Sequence, residues 1–313
     1  MHEHCENIDT VTLCTLRQGF KARQNFHKIP EWVRKRCFSG KFRRIESRDI
    51  PTVIRLADKG VVAYRVPVKL VDDQLTHVRN LETWVEKYQG KLREKIKIDP
   101  KRGVSCVRKY QRWIKYRKRR MFVPKLSGDY RADGEVAHEF MKHSELLWSR
   151  ATEWFPKHHL QRVFRDLTQH PLKNGEERLC GPWMGCAVNV AVDGKPVETT
   201  PHRDVMGFVH GISCLCPFGE FTGGGLILWE LRTIVELKRG DLLYFMDHLI
   251  NHSNEKAYGA RHSVVAFTEN KVWKWLQKIY GFVDARVKPL KAVQKRYREE
   301  EVERSKAKRS RLT

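Results

Sequence analysis

Three groups of residues in the second half of the chain are of types that bind and activate small molecules. Pro201-His202-Arg203-Asp204 contains His-x-Asp, His252 follows 252 − 202 = 50 residues after the first histidine, and Arg261-His262-Ser263 starts 261 − 252 = 9 residues later. Two imidazoles and one carboxylate are the ligand set of a facial non-haem Fe(II) site. Three protein ligands cover one face of the ion and leave the opposite positions open for an oxidant and a chelating co-substrate. His202 and Asp204, two apart in extended chain, project to the same side. His252 must then arrive from another strand. An arginine completes the chemistry, because a planar guanidinium holds a carboxylate through two parallel hydrogen bonds. Arg261, at the start of the strand after the distal histidine, is placed to grip the far carboxylate of a dicarboxylic keto acid. Ser263, two residues on, adds a hydroxyl on the same strand face. With 14 histidines in the chain, about one His-x-Asp is expected by chance, so the motif gains its weight from the distal His, Arg and Ser.

The elements that must position these groups are legible from punctuation. After about Cys180 the apolar runs shorten to strand length, and Gly and Pro become frequent. Strands are predicted near Met184–Val192, Val209–Cys216, Leu226–Leu231, Thr233–Leu237, Asp241–Met246 and His262–Thr268. Gly194-Lys195-Pro196, Pro217-Phe218-Gly219, Thr222-Gly223-Gly224-Gly225 and Lys238-Arg239-Gly240-Asp241 read as turns. Several short strands at this spacing suggest a sandwich or barrel. The glycine triplet lacks the Lys-Ser/Thr of a phosphate loop and joins two strands. Before Cys180 the chain is polar, basic and rich in helix formers. Leu81 to Ile98 and Ala137 to Leu167 show apolar residues at three- and four-residue steps, the second run broken by Pro156.

Lys+Arg exceed Asp+Glu by 61 − 37 = 24, a balance that favours a polyanionic partner. Residues 101–120 concentrate it, with ten Lys or Arg and no acid. Tyr110, Trp113 and Tyr116 interleave at three-residue spacing, which on a helix forms an anchoring stripe with the basic groups left for phosphate. Arg108, Lys109, Arg112, Lys115, Arg117 and Lys118 are the candidate nucleic-acid contacts. A second run, Arg34 to Arg44, repeats the theme, and the tail from Arg286 reads as a helix or mobile arm with a nuclear import signal. No apolar run approaches the roughly 18–20 residues of a membrane span. The first six residues lack a secretory pattern. The eight cysteines are scattered without metal-site spacing, as in a reducing compartment.

Asn189, on the strand before His-x-Asp, is a candidate donor to the keto acid. His248 sits four residues before His252, but it leaves a longer step to Arg261, so His252 is the preferred ligand.

Residues from about Pro182 to Asn270 resemble the double-stranded β-helix core of Fe(II)/2-oxoglutarate dioxygenases, in particular the TET/JBP family in its fungal and protist branches. The resemblance rests on Thr200-Pro201-His202-Arg203-Asp204, Phe221-Thr222-Gly223-Gly224-Gly225-Leu226, Arg239-Gly240-Asp241-Leu242-Leu243-Tyr244-Phe245, and His252 through Arg261-His262-Ser263-Val264-Val265-Ala266-Phe267. It covers a little under a third of the chain. It implies Fe(II), 2-oxoglutarate and O2 as cofactors, a methylated DNA base as substrate, and base-binding roles for Phe267 as the stacking aromatic and Glu269 as the polar reader. Family members often have His at the position of Glu269 and a carboxylate at that of Gly207.

The resulting expectation is an α+β fold with a double-stranded β-helix (jelly-roll, cupin-like) core and a helical, basic N-terminal region around it. The expected parts are 1–180 helical and basic, 181–270 catalytic core, and 271–313 a C-terminal helix and basic tail. The expected activity is oxidation of 5-methylcytosine, demethylation of N6-methyladenine, or both, on a flipped-out base of double-stranded DNA in the nucleus, by a monomer. The alternatives are a same-fold dioxygenase of RNA or protein, and an inactive basic DNA-binding protein.

Overall fold

The structure is a computed structural model. It describes residues 1–5, 42–99, 103–114, 116–117, 120–121, 124–168, 178–191, 193–194, 196–197, 199, 201–204, 206–208 and 211–280. The chain divides into two compact units, 1–273 and 274–313, and all that follows concerns the first.

The described chain opens with β1 (His2–Cys5), β2 (Arg43–Ile45), β3 (Thr52–Arg55) and β4 (Val61–Val66). A single turn, α1 (Val68–Val71), and a long helix, α2 (Thr76–Arg93), follow. Next come β5 (Lys97–Asp99), β6 (Gly103–Trp113), β7 (Tyr116–Arg117), β8 (Arg120–Met121) and β9 (Lys125–Leu126). Helices α3 (Gly128–Asp133), α4 (Glu135–Glu153) and α5 (Lys157–Thr168) lead into the second half. There the strands are β10 (Gly185–Val190), β11 (Ser213–Phe218), β12 (Phe221–Gly223), β13 (Leu226–Leu228) and β14 (Thr233–Val235). They continue with β15 (Leu242–Phe245), β16 (His252–Asn254), β17 (Ala257–Gly259) and β18 (His262–Phe267), before helix α6 (Asn270–Tyr280).

Two sheets make the body. The larger runs β1-β3-β4-β15-β11-β18-β10-β6-β5, with β9 beside β6, and the smaller runs β16-β13-β14-β2. This is the jelly-roll form of the double-stranded β-helix. Its central strands β11 and β15 are buried at every residue. They therefore read as continuous apolar runs rather than as alternations. The helices seal one face of the large sheet. Trp84 of α2 meets Phe140 of α4 edge-on at 4.9 Å and donates its indole N–H to the Val136 carbonyl at 3.0 Å. Tyr244 of β15 donates its hydroxyl to the Ala151 carbonyl at 2.7 Å, tying α4 to the sheet.

The expected strands of the second half form close to their predicted bounds, and Pro156 separates α4 from α5. Three expectations are corrected. The first half is not mainly helical, because it supplies β1, β3, β4, β5, β6 and β9 to the large sheet and β2 to the small one. The helix expected within 101–120 gives way to a strand over Gly103–Trp113, where β6 pairs antiparallel with β10 from Gln111↔Gly185 to Cys106↔Val190. The reason is an arginine that looks exposed in sequence. On β6 the period-two set Cys106, Arg108 and Tyr110 is buried. Arg108 reaches Asp133 through Nε and Nη2, both at 2.6 Å, and Tyr110 donates to the same carboxylate at 2.8 Å. The charge that hides Arg108 comes from 25 residues downstream, where Ser127 caps α3 by accepting the Tyr130 N–H. α2 ends at Arg93, and Lys97–Asp99 is strand rather than its last turn.

Candidate active site

A pocket lies between the two sheets. Alternate residues of β18, Ser263, Val265 and Phe267, line it from the large sheet, with Ala187 and Asn189 of β10 beside them. Leu226, His252 and Asn254 line it from the small sheet.

His202 and His252 face each other across an isolated antiparallel bridge and exchange both backbone hydrogen bonds, at 3.1 and 2.8 Å. Directly opposed residues project to one side of such a pair, and their rings sit 4.4 Å apart. Asp204, two residues on, joins them. One ligand atom from each of His202, Asp204 and His252 lies within 4.8 Å of the others, and this is the only such cluster among the described residues. The Nδ1 of His252 is 3.0 Å from the Ile250 carbonyl. Donation there fixes the tautomer and leaves Nε2 with a lone pair for a metal. The turn before His252 is held by buried Glu230, which accepts the Asn251 backbone N–H at 2.8 Å and its side-chain amide. Burial raises the Glu230 carboxyl to about 7. His248 is buried next to Asp247 and does not join the ligand cluster.

Asp247 is a pocket residue that the sequence did not single out. Its carboxylate accepts the Ser213 hydroxyl at 2.6 Å, and its backbone carbonyl accepts the Asp204 N–H at 3.2 Å. Burial first, and then the charge of Asp204, raises its carboxyl to about 8. Its signal in the sequence is only a polar residue at a predicted strand end.

Behind the triad lies an arginine with nothing to balance it. Arg261 is 2% exposed. No carboxylate among the described residues pairs with it, and its Nε has no hydrogen-bond partner. With the Asn254 carboxamide turned to satisfy its neighbours, the oxygen accepts from Nη1 at 3.1 Å and Nη2 at 2.9 Å, and the nitrogen donates to Thr199 at 2.7 Å. Burial alone lowers the Arg261 pKa to about 10. The Phe221 ring packs under the guanidinium at 5.5 Å. Gly224, at φ +70°, gives it room, since a Cβ there would sit 2.7 Å from the arginine Cδ and Nε. The glycine triplet thus serves the arginine. Ser263 and Asn189 are register partners on β18 and β10, and the Asn189 amide donates to the Ser263 hydroxyl at 3.2 Å.

The remaining site residues separate. Phe267 and Glu269 both line the pocket, so Phe267 is not sealed in the core. Glu269 is placed by the Gly207↔Glu269 bridge and by its carbonyl, which accepts the Val272 and Trp273 N–H groups at the start of α6. Lys109 is exposed at the pocket. Arg108 is removed from the candidate DNA contacts, because its Nε and Nη2 both bond Asp133 and it is 4% exposed. Arg112 is half-buried on β6. Lys115 and Lys118 lie outside the described residues, as does the side chain of Arg117. No helix among the described residues is long and apolar enough to cross a membrane.

The donor set suits iron and a chelating dicarboxylate. His2Asp is a facial set for Fe(II). A buried guanidinium without a counter-ion is costly unless an anion arrives.

No family model and no curated protein matches the chain. Among solved structures, NgTET1 in complex with 5mC DNA is similar at 16% identity, over 75% of this chain and 81% of that one, with a TM-score of 0.51. A 2OG-Fe(II) oxygenase family oxidoreductase from Burkholderia pseudomallei is 14% identical over 66% and 82% of the two chains, at 0.40. OsALKBH1 is 15% identical over 39% and 64%, at 0.26. The first of these likenesses establishes the fold.

Proposed function

We propose that the protein is an Fe(II)- and 2-oxoglutarate-dependent dioxygenase that oxidises the methyl group of a methylated base in DNA. The observation that carries the chemistry is the pairing of a His202, Asp204, His252 ligand set with a buried arginine that has no carboxylate. Iron and 2-oxoglutarate at this site would supply oxidation of an unactivated C–H bond by O2, with succinate and CO2 as by-products.

The chain's own residues set the geometry. His202, Asp204 and His252 would hold the metal, with His252 oriented by its bond to Ile250. Arg261, whose Nη groups are held by Asn254 and whose Nε has no partner, would take the distal carboxylate of the keto acid. Ser263 and Asn189 add a hydroxyl and an amide on the adjoining wall. Leu215, Val265 and Phe245 keep that wall apolar and exclude water. A base methyl cannot reach a pocket between two sheets from inside a duplex, so the base is flipped out, and Phe267 offers a ring on which it stacks. A methyl on carbon becomes a hydroxymethyl, while a methyl on nitrogen becomes a hemiaminal that loses formaldehyde.

What supports DNA as the substrate is the net charge of +24, the exposed Lys109 at the pocket and the likeness to NgTET1, whose structure holds 5mC DNA. On this reading the protein works on chromosomal DNA in the nucleus. The test is to incubate iron-loaded protein and 2-oxoglutarate with duplex DNA carrying 5-methylcytosine and N6-methyladenine, digest it, and weigh the nucleosides. Oxidised cytosines or lost N6-methyladenine are expected. Unchanged nucleosides alongside continuing succinate release from a peptide or RNA substrate would overturn the DNA assignment.

A further inference from the structure

The keto-acid corner has a second side. A cavity of about 380 Å³ lies there, and it shares no lining residue with the pocket of the ligand triad. Its size falls within the roughly 300–1,000 Å³ of small-molecule sites. Arg261 and its nearest neighbours separate the two spaces. Asn254, which lines the triad's pocket, bonds the guanidinium. The Phe221 ring, which lines the second cavity, packs under the same guanidinium at 5.5 Å. Beside Phe221 the wall is the glycine triplet. Gly223 and Gly225 line the cavity, and Gly224 between them lies bare against the arginine. The partition is therefore one aromatic ring and one backbone thick.

The ring rides on a ribbon that belongs to neither sheet. β12 and β17 pair only with each other, through Phe221↔Gly259, Thr222↔Tyr258 and Gly223↔Ala257. Opposed residues share a face, so Phe221 and Ala257 turn inward while Thr222 and Tyr258 stand exposed. A two-stranded ribbon is marginal on its own, and a segment with so few buried side chains opens at low cost. Both strands end on glycines in the left-handed region, Gly223 at φ +71° and Gly259 at φ +90°, where the backbone turns freely. Charge suits the cavity to an anion. Three cations and two carboxylates line it, and Arg44 takes up both carboxylates, Glu236 and Glu255. Arg239 is paired with Glu82 and Glu220, which leaves the exposed Lys238 to set the sign among the described residues.

We infer that this cavity is the passage for the dicarboxylate, with Phe221 as its gate, so that keto acid and succinate exchange behind Arg261. The nucleic acid keeps the other opening, beside Lys109 and the exposed Met206. The inference rests on the proposed activity and adds an order of events to it. With one opening, a bound polymer would trap the by-product until it left. With two, succinate departs and a fresh keto acid enters while the nucleic acid stays in place.

The experiment follows radiolabelled 2-oxoglutarate entering and leaving the iron-loaded protein in the absence of O2. A gate alters passage and leaves the bound state alone. Phe221→Leu should therefore raise association and release together by about fivefold, and Phe221→Trp should lower both, with Kd held within about twofold. Lost contacts ordinarily appear in release alone. A shifted Kd with unchanged association would make Phe221 a packing residue and overturn the gate, as would rates that neither substitution moves. Lys238→Glu, on the rim of the cavity, should slow association about threefold and leave release unaltered; an unaltered association rate would place the entrance elsewhere. With methylated duplex DNA held at saturation, as read by fluorescence anisotropy, release from the wild type should stay within about twofold of its rate without DNA. A fall of about tenfold or more would make the mouth the only opening. Failure of the parent activity looks different. A protein that binds no 2-oxoglutarate refutes both readings, whereas one that binds it and no DNA refutes the DNA substrate alone, and the Phe221 and Lys238 rates still decide the passage.

Discussion

Two buried arginines in this protein do opposite things. Arg65 on β4 is 1% exposed and Arg261 before β18 is 2% exposed. Arg65 pairs with Asp241 at 2.8 Å and also donates to the Arg48 carbonyl at 2.8 Å and to the Ser47 hydroxyl. Asp241 accepts the Val68 and Lys238 N–H groups besides, each at 2.9 Å, so the whole cluster is closed within the protein. Arg261 has an amide on one side, an aromatic ring below and no carboxylate among the described residues. Burial depth is the same, and only satisfaction differs. A closed cluster fixes the turn between the sheets, whereas an open one marks the place where an anionic ligand completes the structure.

The contrast is broken most forcefully at the closed cluster. Arg65→Met leaves Asp241 buried without its counter-charge and should cost about 3–5 kcal/mol, read as a large fall in Tm. Arg261→Met removes a charge that no protein carboxylate balances, so its Tm in the absence of ligand should stay level or rise. Equal losses in the two variants would erase the distinction.

A second buried cation-former sharpens it. His262 accepts the Ala191 N–H through Nδ1 at 2.9 Å and is therefore held neutral. Burial, against a weaker pull from Glu82, lowers its pKa to about 4 from 6.5. The unfolded chain takes up this proton near pH 6.5, while the folded chain refuses it until about pH 4. The unfolded state thus holds more protons in that window. Stability should fall by about 3 kcal/mol as pH drops from 6.5 to 4, and change little from this source above it. His262→Gln should flatten that part of the stability curve, and an unaltered slope would assign it elsewhere.

The smallest effects belong to the neighbours Arg108 and Lys109. Lys109→Ala should lower the salt dependence of DNA binding by about one counter-ion and leave Tm unchanged. Arg108→Ala should lower Tm, because it strands Asp133, and leave the salt slope as it was. A reversed pattern would return Arg108 to the DNA surface.

These pairs also show what the sequence could reveal. His202, Asp204, His252, Arg261, Ser263 and Phe267 were legible because each sits in or beside a short extended segment, where a two-residue period declares the face. Their convergence needed only the strands to pair. Arg108 was misread because its partner Asp133 belongs to another element, so a buried arginine looked like one of ten exposed cations. The helical reading of 101–120 failed with it. Asp247 was not singled out at all. It acquires its place from the Ser213 hydroxyl 34 residues away. Contacts set by long-range pairing leave no local mark.

The most direct test is an anaerobic titration of 2-oxoglutarate into the Fe(II)-loaded protein, wild type against Arg261→Met, followed by calorimetry. A charge-assisted pair of hydrogen bonds is worth about 1.5–3 kcal/mol, so the variant should bind the keto acid roughly ten- to a hundredfold more weakly while keeping its iron. Equal affinity in the two proteins would contradict the account at its centre.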